Sequence, residues 1–367
     1  MYVYGQKMSR SNQCEYILVE EDVLMMQRFI EMQQKLLPDL IAVMRERYML
    51  LRSISHLQPI GRRALAQAMQ TTERILRAEV ELLKDTGLIH VTAAGMTLTE
   101  EGHRVLEEME PLTADLFGLT ELAEQLQRLL GISQVVVVQG DADHSAWVKE
   151  ELGRVGARLL KQYIHEDDIV AVTGGTSVAS VAHHLTPAPS FRGVQFVPAR
   201  GGLGERVELQ ANTLASAMAA KTGSSYRLLH VPDRLRPDAL QTLMDEPQVQ
   251  DVLALLQHTR LVIHGIGDAL AMAKRRNYTE AELAELKAAG AVSEAFGYYF
   301  NAAGETVHRM PTIGLQLEDV KQAETVLSIA GGESKAKAIL SFAKQSCQNV
   351  LITDEGAARA ILSSNRL

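Results

Sequence analysis

From Ser133 to the C-terminus, short apolar runs alternate with amphipathic stretches, and this alternation restricts the chain to one broad architecture. The runs are Gln134–Val138, Asp168–Thr173, Val194–Val197, Tyr226–Val231, Arg260–His264 and Asn349–Thr353. Between them helical periodicity marks Trp147–Tyr163, Ala211–Lys221, Pro247–Leu256, Thr279–Ala289 and Ser334–Lys344. A helical crossover returns the chain to the same end of a sheet, so such strands pair in parallel. Runs with little polar alternation are buried on both faces. The expectation is a mostly parallel α/β sheet covered by helices, with ligands beyond the C-terminal ends of its strands.

A second pattern precedes it. Residues 59–102 predict a short helix (Arg62–Met69), a tight Gln70-Thr71 turn and a longer helix (Thr72–Asp85). A hairpin follows, Leu88–Val91 and Met96–Thr99 around residues 92–95. This is the order of a winged helix-turn-helix, whose second helix enters a major groove. Thr71 reads as its N-cap, with Glu73 in the first turn. Ile75, Leu76, Val80, Leu82 and Leu83 form the expected buried side, and Thr72, Arg74, Arg77 and Glu81 the outward side. Arg74 and Arg77, with Thr72, are the candidates for base contact; Arg62 and Arg63, opening the preceding helix, are placed for DNA phosphates. Thr99 before Glu100 and Glu101 caps a further helix.

The formal charge of the whole chain is −8, but Leu37–His90 carries eight Lys/Arg against six Asp/Glu. A modestly basic reader on an acidic body suits specific binding as an oligomer rather than tight sequence-independent binding. At 367 residues two domains are expected. Residues 26–110 form the DNA-binding domain, 111–132 a helical linker punctuated by Pro111, and 133–367 the α/β domain. Residues 1–25 show no pattern and read as an extension, either a flexible arm or sequence upstream of a true start at Met26. Helical period begins near Met25 and resumes at Pro38, with Leu40, Ile41, Met44, Tyr48 and Leu51 on one face. The leucines at 119, 122, 126, 129 and 130 suit packing onto the next domain or a dimerisation helix. No apolar run approaches a bilayer span and no signal peptide is evident. Two cysteines, Cys14 and Cys347, supply neither a disulfide framework nor a four-ligand zinc site. A reducing cytoplasm, with no membrane partner, is the simplest location.

Four glycine turns fall at strand ends or helix starts. In the first, VAVTGGTS, a strand runs into Gly174-Gly175 and a helix starts at Thr176-Ser177. Backbone amides there, with the two hydroxyls, suit a phosphate, although the P-loop spacing is missing. A purely structural turn explains the same spacing. Arg200-Gly201-Gly202-Leu203-Gly204 repeats the theme, with an arginine placed for bidentate phosphate binding or simply exposed. Gly265-Ile266-Gly267-Asp268 and Gly331-Gly332-Glu333-Ser334-Lys335 complete the set. Together they point to a small anion at the lip of the sheet, with Lys335 or Arg275 supplying charge. The eleven histidines show no metal-ligand spacing, so no metal is expected. His183-His184 reads as an exposed helix end and Trp147 as packing. The FGYYF cluster at 296–300 reads as packing beneath the pocket that stiffens a loop carrying Glu294.

The motifs VTGGTS, VPARGGLGE, QANT, HGIGDA, SEAFGYYFNA, AGGESKAKAI and VLITDEGAA resemble the effector domain of the central glycolytic genes regulators. LLPDLIAVMRERYMLLRSI, QPIGRRALAQAM, ERILRAEVELLK and TLTEEG resemble their DNA-binding domain. These regulators belong to the sorbitol-operon-regulator (SorC) family, and the resemblance runs from about Met26 to the C-terminus. It implies a tetrameric repressor of glycolytic genes, a double-stranded operator, and fructose-1,6-bisphosphate as inducer rather than a catalytic cofactor. It also implies a sensor domain similar to sugar-phosphate isomerases and glucosamine-6-phosphate deaminases. Carried over by motif, Gly174, Gly175, Thr176 and Ser177 cradle one phosphate with Lys335 nearby. Arg200, Gln210 and Arg275 serve the second, beside Gly201 and Gly202, and Glu294 meets the sugar hydroxyls. Ser177 stands where the family pattern has threonine, and the hydroxyl is kept.

Two readings compete with a regulator of glycolytic genes. One is a regulator of the same architecture that responds to another sugar phosphate. The other is an active isomerase or deaminase fused to a DNA-binding module, which needs an acid and a base over the sugar. Asp268, Glu294 and His264 are the candidates near the glycine turns, and no arrangement among them compels catalysis. The expectation is therefore a DNA-binding homo-oligomer, dimer or tetramer, and not an enzyme.

Overall fold

The computed structural model describes residues 2–3, 6–7, 32–33, 35–202, 206–232, 237–347 and 349–364. Apart from residues 2–3 and 6–7, the extension expected at 1–25 lies outside the described residues, as do Leu203 and Gly204. The two-residue strands β1 (Tyr2–Val3) and β2 (Gln6–Lys7) pair antiparallel. The chain divides into two compact units, Met1–Leu119 and Thr120–Leu367.

In the first unit, helix α1 (Pro38–Leu57) opens with proline at N1, where its missing N–H costs nothing. Its buried apolar residues are Tyr48, Leu50, Leu51 and Ile54, whereas Leu40, expected on that face, is exposed. The expected order of helix, turn, helix and hairpin follows: α2 (Arg62–Ala68), α3 (Glu73–Asp85), β3 (Ile89–Thr92) and β4 (Gly95–Leu98). The N-cap of α3 is Thr72, not Thr71: its hydroxyl accepts the Ile75 N–H at 3.4 Å. Only three of the five residues expected to be buried on α3 are so. Leu76, Val80 and Leu83 repeat at i, i+4 and i+7 and form a narrow stripe, while Ile75 (62% exposed) and Leu82 (38%) flank it. Gly95 sits at φ 131°, and a Cβ there would lie 2.8 Å from the Ile60 nitrogen, which fixes glycine where the hairpin meets the chain entering α2. Thr99 caps α4 (Glu100–Leu116) by accepting the Gly102 N–H. The expected break at Pro111 is displaced. Helix α4 runs through it, losing one backbone hydrogen bond, and the break falls at Gly118 (φ 69°) before α5 (Leu119–Leu130).

The second unit contains a seven-stranded sheet of order β5-β15-β14-β9-β6-β7-β8. Its strands are β5 (Gln134–Val138), β6 (Ile169–Val172), β7 (Gln195–Pro198), β8 (Ser225–Tyr226), β9 (Leu261–Gly265), β14 (Thr325–Ile329) and β15 (Val350–Asp354). Every pairing in it is parallel. Of the run expected at Tyr226–Val231 only Tyr226 is strand, as the second residue of β8, and the wholly buried β14 was not anticipated. Four short strands form a separate antiparallel sheet: β10 (Gly267–Asp268), β11 (Ala291–Ala295), β12 (Tyr298–Asn301) and β13 (Thr306–Arg309). The connections between strands carry helices α6 (Ala146–Tyr163), α7 (Thr176–His184), α8 (Ala211–Thr222), α9 (Pro237–Met244), α10 (Pro247–Gln257), α11 (Ala269–Arg275), α12 (Glu280–Ala288), α13 (Leu317–Gln322) and α14 (Ala336–Ala343), and α15 (Glu355–Ser364) follows β15. Trp147 is buried on α6, and Gly156 of that helix lets it pack closely on α7, where a Cβ would lie 2.6 Å from Val181 Cγ2. Among the described residues no helix is long and apolar enough to cross a membrane.

The narrow stripe on α3 yields a direct contrast. Leu83→Ala is expected to destabilise the first unit by about 2–5 kcal/mol, and Ile75→Ala by less than about 0.5 kcal/mol. Denaturant unfolding followed by far-UV circular dichroism measures both. Equal effects would refute the stripe.

Candidate functional site

Three neighbouring strands, β9, β6 and β7, end on one edge of the large sheet, and the loops leaving them build a cleft. From β6 come Thr173, Gly174 and Gly175, then Thr176, Ser177 and Val178 of α7. Arg200 follows β7, Gly265 ends β9, and Ile266 and Gly267 come directly after it. Arg275 and Arg276 end α11, Glu294 and Ala295 come from β11, Phe296 from the turn after it, and Lys335 precedes α14. The expected residues Gly174, Gly175, Thr176, Ser177, Arg200, Arg275, Glu294 and Lys335 thus line one cavity.

Gly174 is required by close approach: a Cβ there would lie 2.5 Å from the Leu209 carbonyl oxygen. Gly175, at φ 119°, is the N-cap of α7 and donates its N–H to the same carbonyl at 2.9 Å. The N–H groups of Thr176, Ser177 and Val178 in the first turn of α7 have no intrahelical acceptor. With the helix dipole they offer an anion-binding terminus. Four cations (Arg200, Arg275, Arg276 and Lys335) and one carboxylate, Glu294, share the lining.

The carboxylate is the organising group. Glu294 is 3% exposed, and its Oε1 accepts from Arg276 Nη2 at 2.9 Å, from the Gly297 N–H at 2.8 Å and from Arg200 Nη1 at 3.4 Å. Burial pushes its pKa up, yet the two guanidiniums and the backbone N–H hold it below the usual carboxylate range. It stands on strand β11, not on the loop expected from the sequence. The FGYYF cluster is a β-hairpin. Phe296 (φ 55°) and Gly297 (φ 84°) form its two-residue turn, and Tyr298, Tyr299 and Phe300 begin the return strand. Positive φ at both turn residues matches the twist of the flanking strands. Phe296 accepts that strained backbone while its ring packs 4.7 Å from His264.

Arg276 was not anticipated. It donates to Tyr299 Oη at 3.0 Å as well as to Glu294. The signal lay in spacing: Ala269 and Ala273 are the buried face of α11, and Arg276 continues that stripe, whereas Arg275 is exposed. Gly201, Gly202 and Gln210 are not among the lining residues. The Gly201 and Gly202 N–H groups donate to the Ile313 and Val231 carbonyls, and a Cβ on Gly201 would lie 2.6 Å from the Val231 oxygen. This glycine turn is explained by close packing. Gln210, the N-cap of α8, lies next to both glycine turns: a Cβ on Gly202 would sit 3.3 Å from its Oε1.

The acid–base candidates do not assemble. His264 is buried beneath the cleft, bonded to Ser328 Oγ at 2.6 Å, and burial holds its pKa down at about 4. The Asp268 carboxylate caps α11 by accepting the Ala271 N–H at 2.8 Å. In the first unit, Arg62 is half-buried, and Arg63, Thr72, Arg74 and Arg77 are exposed along α2 and α3.

Comparison with known proteins follows the same division. Residues 114–363 match the family described as "Putative sugar-binding domain" and residues 43–113 the "CggR N-terminal DNA binding domain". The central glycolytic genes regulator of Priestia megaterium is 49% identical, covering 92% of this chain and 99% of that protein. The protein of the same name from Bacillus subtilis is 44% identical over 92% of this chain and 99% of its own length. A SorC family transcriptional regulator of Enterococcus faecalis superposes with a TM-score of 0.62 at 41% identity, covering 66% of this chain and 99% of that one.

His264 supplies a pH test. The unfolded chain takes up this proton near the ordinary value of 6.5, the folded chain only near 4. Stability is therefore full above pH 6.5 and is lost as pH falls toward 4, by up to roughly 3 kcal/mol from this group. His264→Gln is expected to flatten the slope in that window, measured as denaturant midpoints of the full chain. An unchanged slope would exclude His264 as its source.

Proposed function

Since the chain belongs to the family of the central glycolytic genes regulators, within the SorC-type sugar-binding regulators, we propose that it represses glycolytic genes and that fructose-1,6-bisphosphate relieves or remodels its operator binding. The relatives are named transcriptional regulators, and this chain is a regulator rather than an enzyme. The observation that carries the ligand reading is the cleft's charge layout. An anion terminus at Gly174–Ser177 stands with Lys335, which Arg275 neighbours, and a second pair of cations, Arg200 and Arg276, flanks Glu294. Two cationic regions around one carboxylate fit a ligand with two phosphates and a hydroxyl-bearing body. In the first unit a winged helix-turn-helix reads the operator. Arg74 and Arg77 on the exposed face of α3 reach bases, with Thr72 at its start, and Arg62 and Arg63 meet phosphates. A homo-oligomer, dimer or tetramer, supplies the paired recognition helices that two half-sites need.

Calorimetry tests the effector. Each charged hydrogen bond contributes about 1.5–3 kcal/mol, so fructose-6-phosphate is expected to bind roughly tenfold to hundredfold more weakly than fructose-1,6-bisphosphate. Arg200→Ala should narrow that gap, and Thr176→Val should weaken both sugars. Equal affinities in the wild type would sink the two-anion reading and favour another sugar phosphate.

Operator binding tests the reader. Arg74→Ala or Arg77→Ala should cost about 1–3 kcal/mol and blur specificity at one base pair. Replacing Arg62 and Arg63 together should weaken binding to all sequences alike and flatten its salt dependence. Undiminished operator affinity in both α3 variants would remove that helix from base reading.

A further inference from the structure

Lys335 reaches the cleft on a turn that another loop holds in place. Residues 331–335 follow β14, and residues 139–145 follow β5 at the far edge of the sheet. Asp143 Oδ2 accepts the Ser334 N–H at 2.7 Å and its Oδ1 accepts from Ser334 Oγ at 2.9 Å. Asp141 accepts the Asp143 N–H at 2.8 Å and the Glu333 N–H at 3.4 Å. Asp354, at the end of β15, accepts the N–H groups of Gly332 and Ala142, both at 2.7 Å, and so ties the two loops together. The glycines serve this latch. A Cβ on Gly332 would lie 2.4 Å from Asp143 Oδ1, and one on Gly331 would lie 2.7 Å from Asp354 Oδ2.

We propose that Asp143 is a positioning residue that acts through Lys335: it holds the 332–335 turn against the cleft and supplies the negative charge beside the lysine's ammonium. This rests on the reading of Lys335 as an anion ligand. Burial lowers the pKa of Lys335, and Asp143 is the largest influence opposing it. Lys149 of α6 and Arg275 of α11 add to the lowering, and Asp354 of β15 resists it. Helix α15, also packed on the turn, carries Glu355, which is ion-paired with Arg359. Asp354 is itself pushed upward by burial, so it holds its charge less firmly than an ordinary aspartate. Removing the Asp143 charge therefore leaves Asp354 to oppose burial and the neighbouring cations. An uncharged Lys335 no longer attracts a phosphate, so ligand binding fails at a lower pH than in the wild type.

The first experiment needs no ligand. Full-length protein carrying isotope-labelled lysine is titrated by NMR from neutral to alkaline pH, and the Lys335 signal is identified by its loss in Lys335→Arg. Asp143→Asn keeps an acceptor for the Ser334 N–H and should lower the Lys335 midpoint by roughly 1 unit. Asp143→Glu should restore it. An unchanged midpoint in Asp143→Asn, with the thermal melt intact, overturns the proposal. The second experiment follows fructose-1,6-bisphosphate affinity across the same pH range. Its alkaline limb should move down in Asp143→Asn and vanish in Asp143→Asn/Lys335→Arg, because a guanidinium stays charged. If the sugar fails to bind the wild type, the effector reading falls, and the Lys335 titration still decides the role of Asp143.

Discussion

One buried carboxylate sets the geometry around it. Taking an ionised group out of water costs several kcal/mol, and the cost is offset only by close, well-aligned partners. Glu294 finds three on a single oxygen, from Arg200, Arg276 and Gly297, and remains ionised. Each partner constrains a different element. Arg276 must end α11 with its guanidinium turned toward β11, Gly297 must occupy the left-handed turn, and Arg200 must leave β7 toward the antiparallel sheet. Tyr299 supports Arg276 from below and packs in turn on Tyr278 and His308. Small strands that cover little area are thereby fixed to the large sheet by charge rather than by apolar burial alone.

Much of this was legible in the residues. Parallel α/β order followed from the alternation of apolar runs and helical periods, and the helix-turn-helix order from the spacing between Arg62 and Asp85. What escaped had physical causes. Strand β14 has the segment TVLSI, which is too short for periodicity to separate strand from helix. The antiparallel strands escaped because aromatic residues signal packing as readily as pairing, and the turn at Phe296-Gly297 lacks the usual Asn-Gly or Asp-Gly signature. Arg276 was hidden by its neighbour, since composition does not say which of two adjacent arginines faces inward.

The glycine turns show how one signal arises from unlike causes. Gly174 yields to a carbonyl from the segment before α8, and Gly201 to the carbonyl of Val231. Gly331 and Gly332 make room for carboxylates. Among these three, the first opens onto the first turn of an α-helix in the cleft. The last pair places a lysine, and the second joins neighbouring loops. A glycine at a strand end therefore marks close approach, and the approaching group must be identified before the turn is read as a site.

The sheet order carries a consequence for synthesis. Strand β5, encountered first in the second unit, pairs with β15, its last strand, in register from Gln134↔Val350 to Val138↔Asp354. During translation β5 waits for more than two hundred residues before its partner leaves the ribosome. Until then β5 and one side of β14 remain open edges, the kind that recruit other chains. Loss of the last few dozen residues would thus do more than trim a helix, because it removes the strand that joins the sheet's beginning to its middle. Translation completes the first unit long before this closure, so the nascent chain carries a finished reader while its sensor is still unpaired.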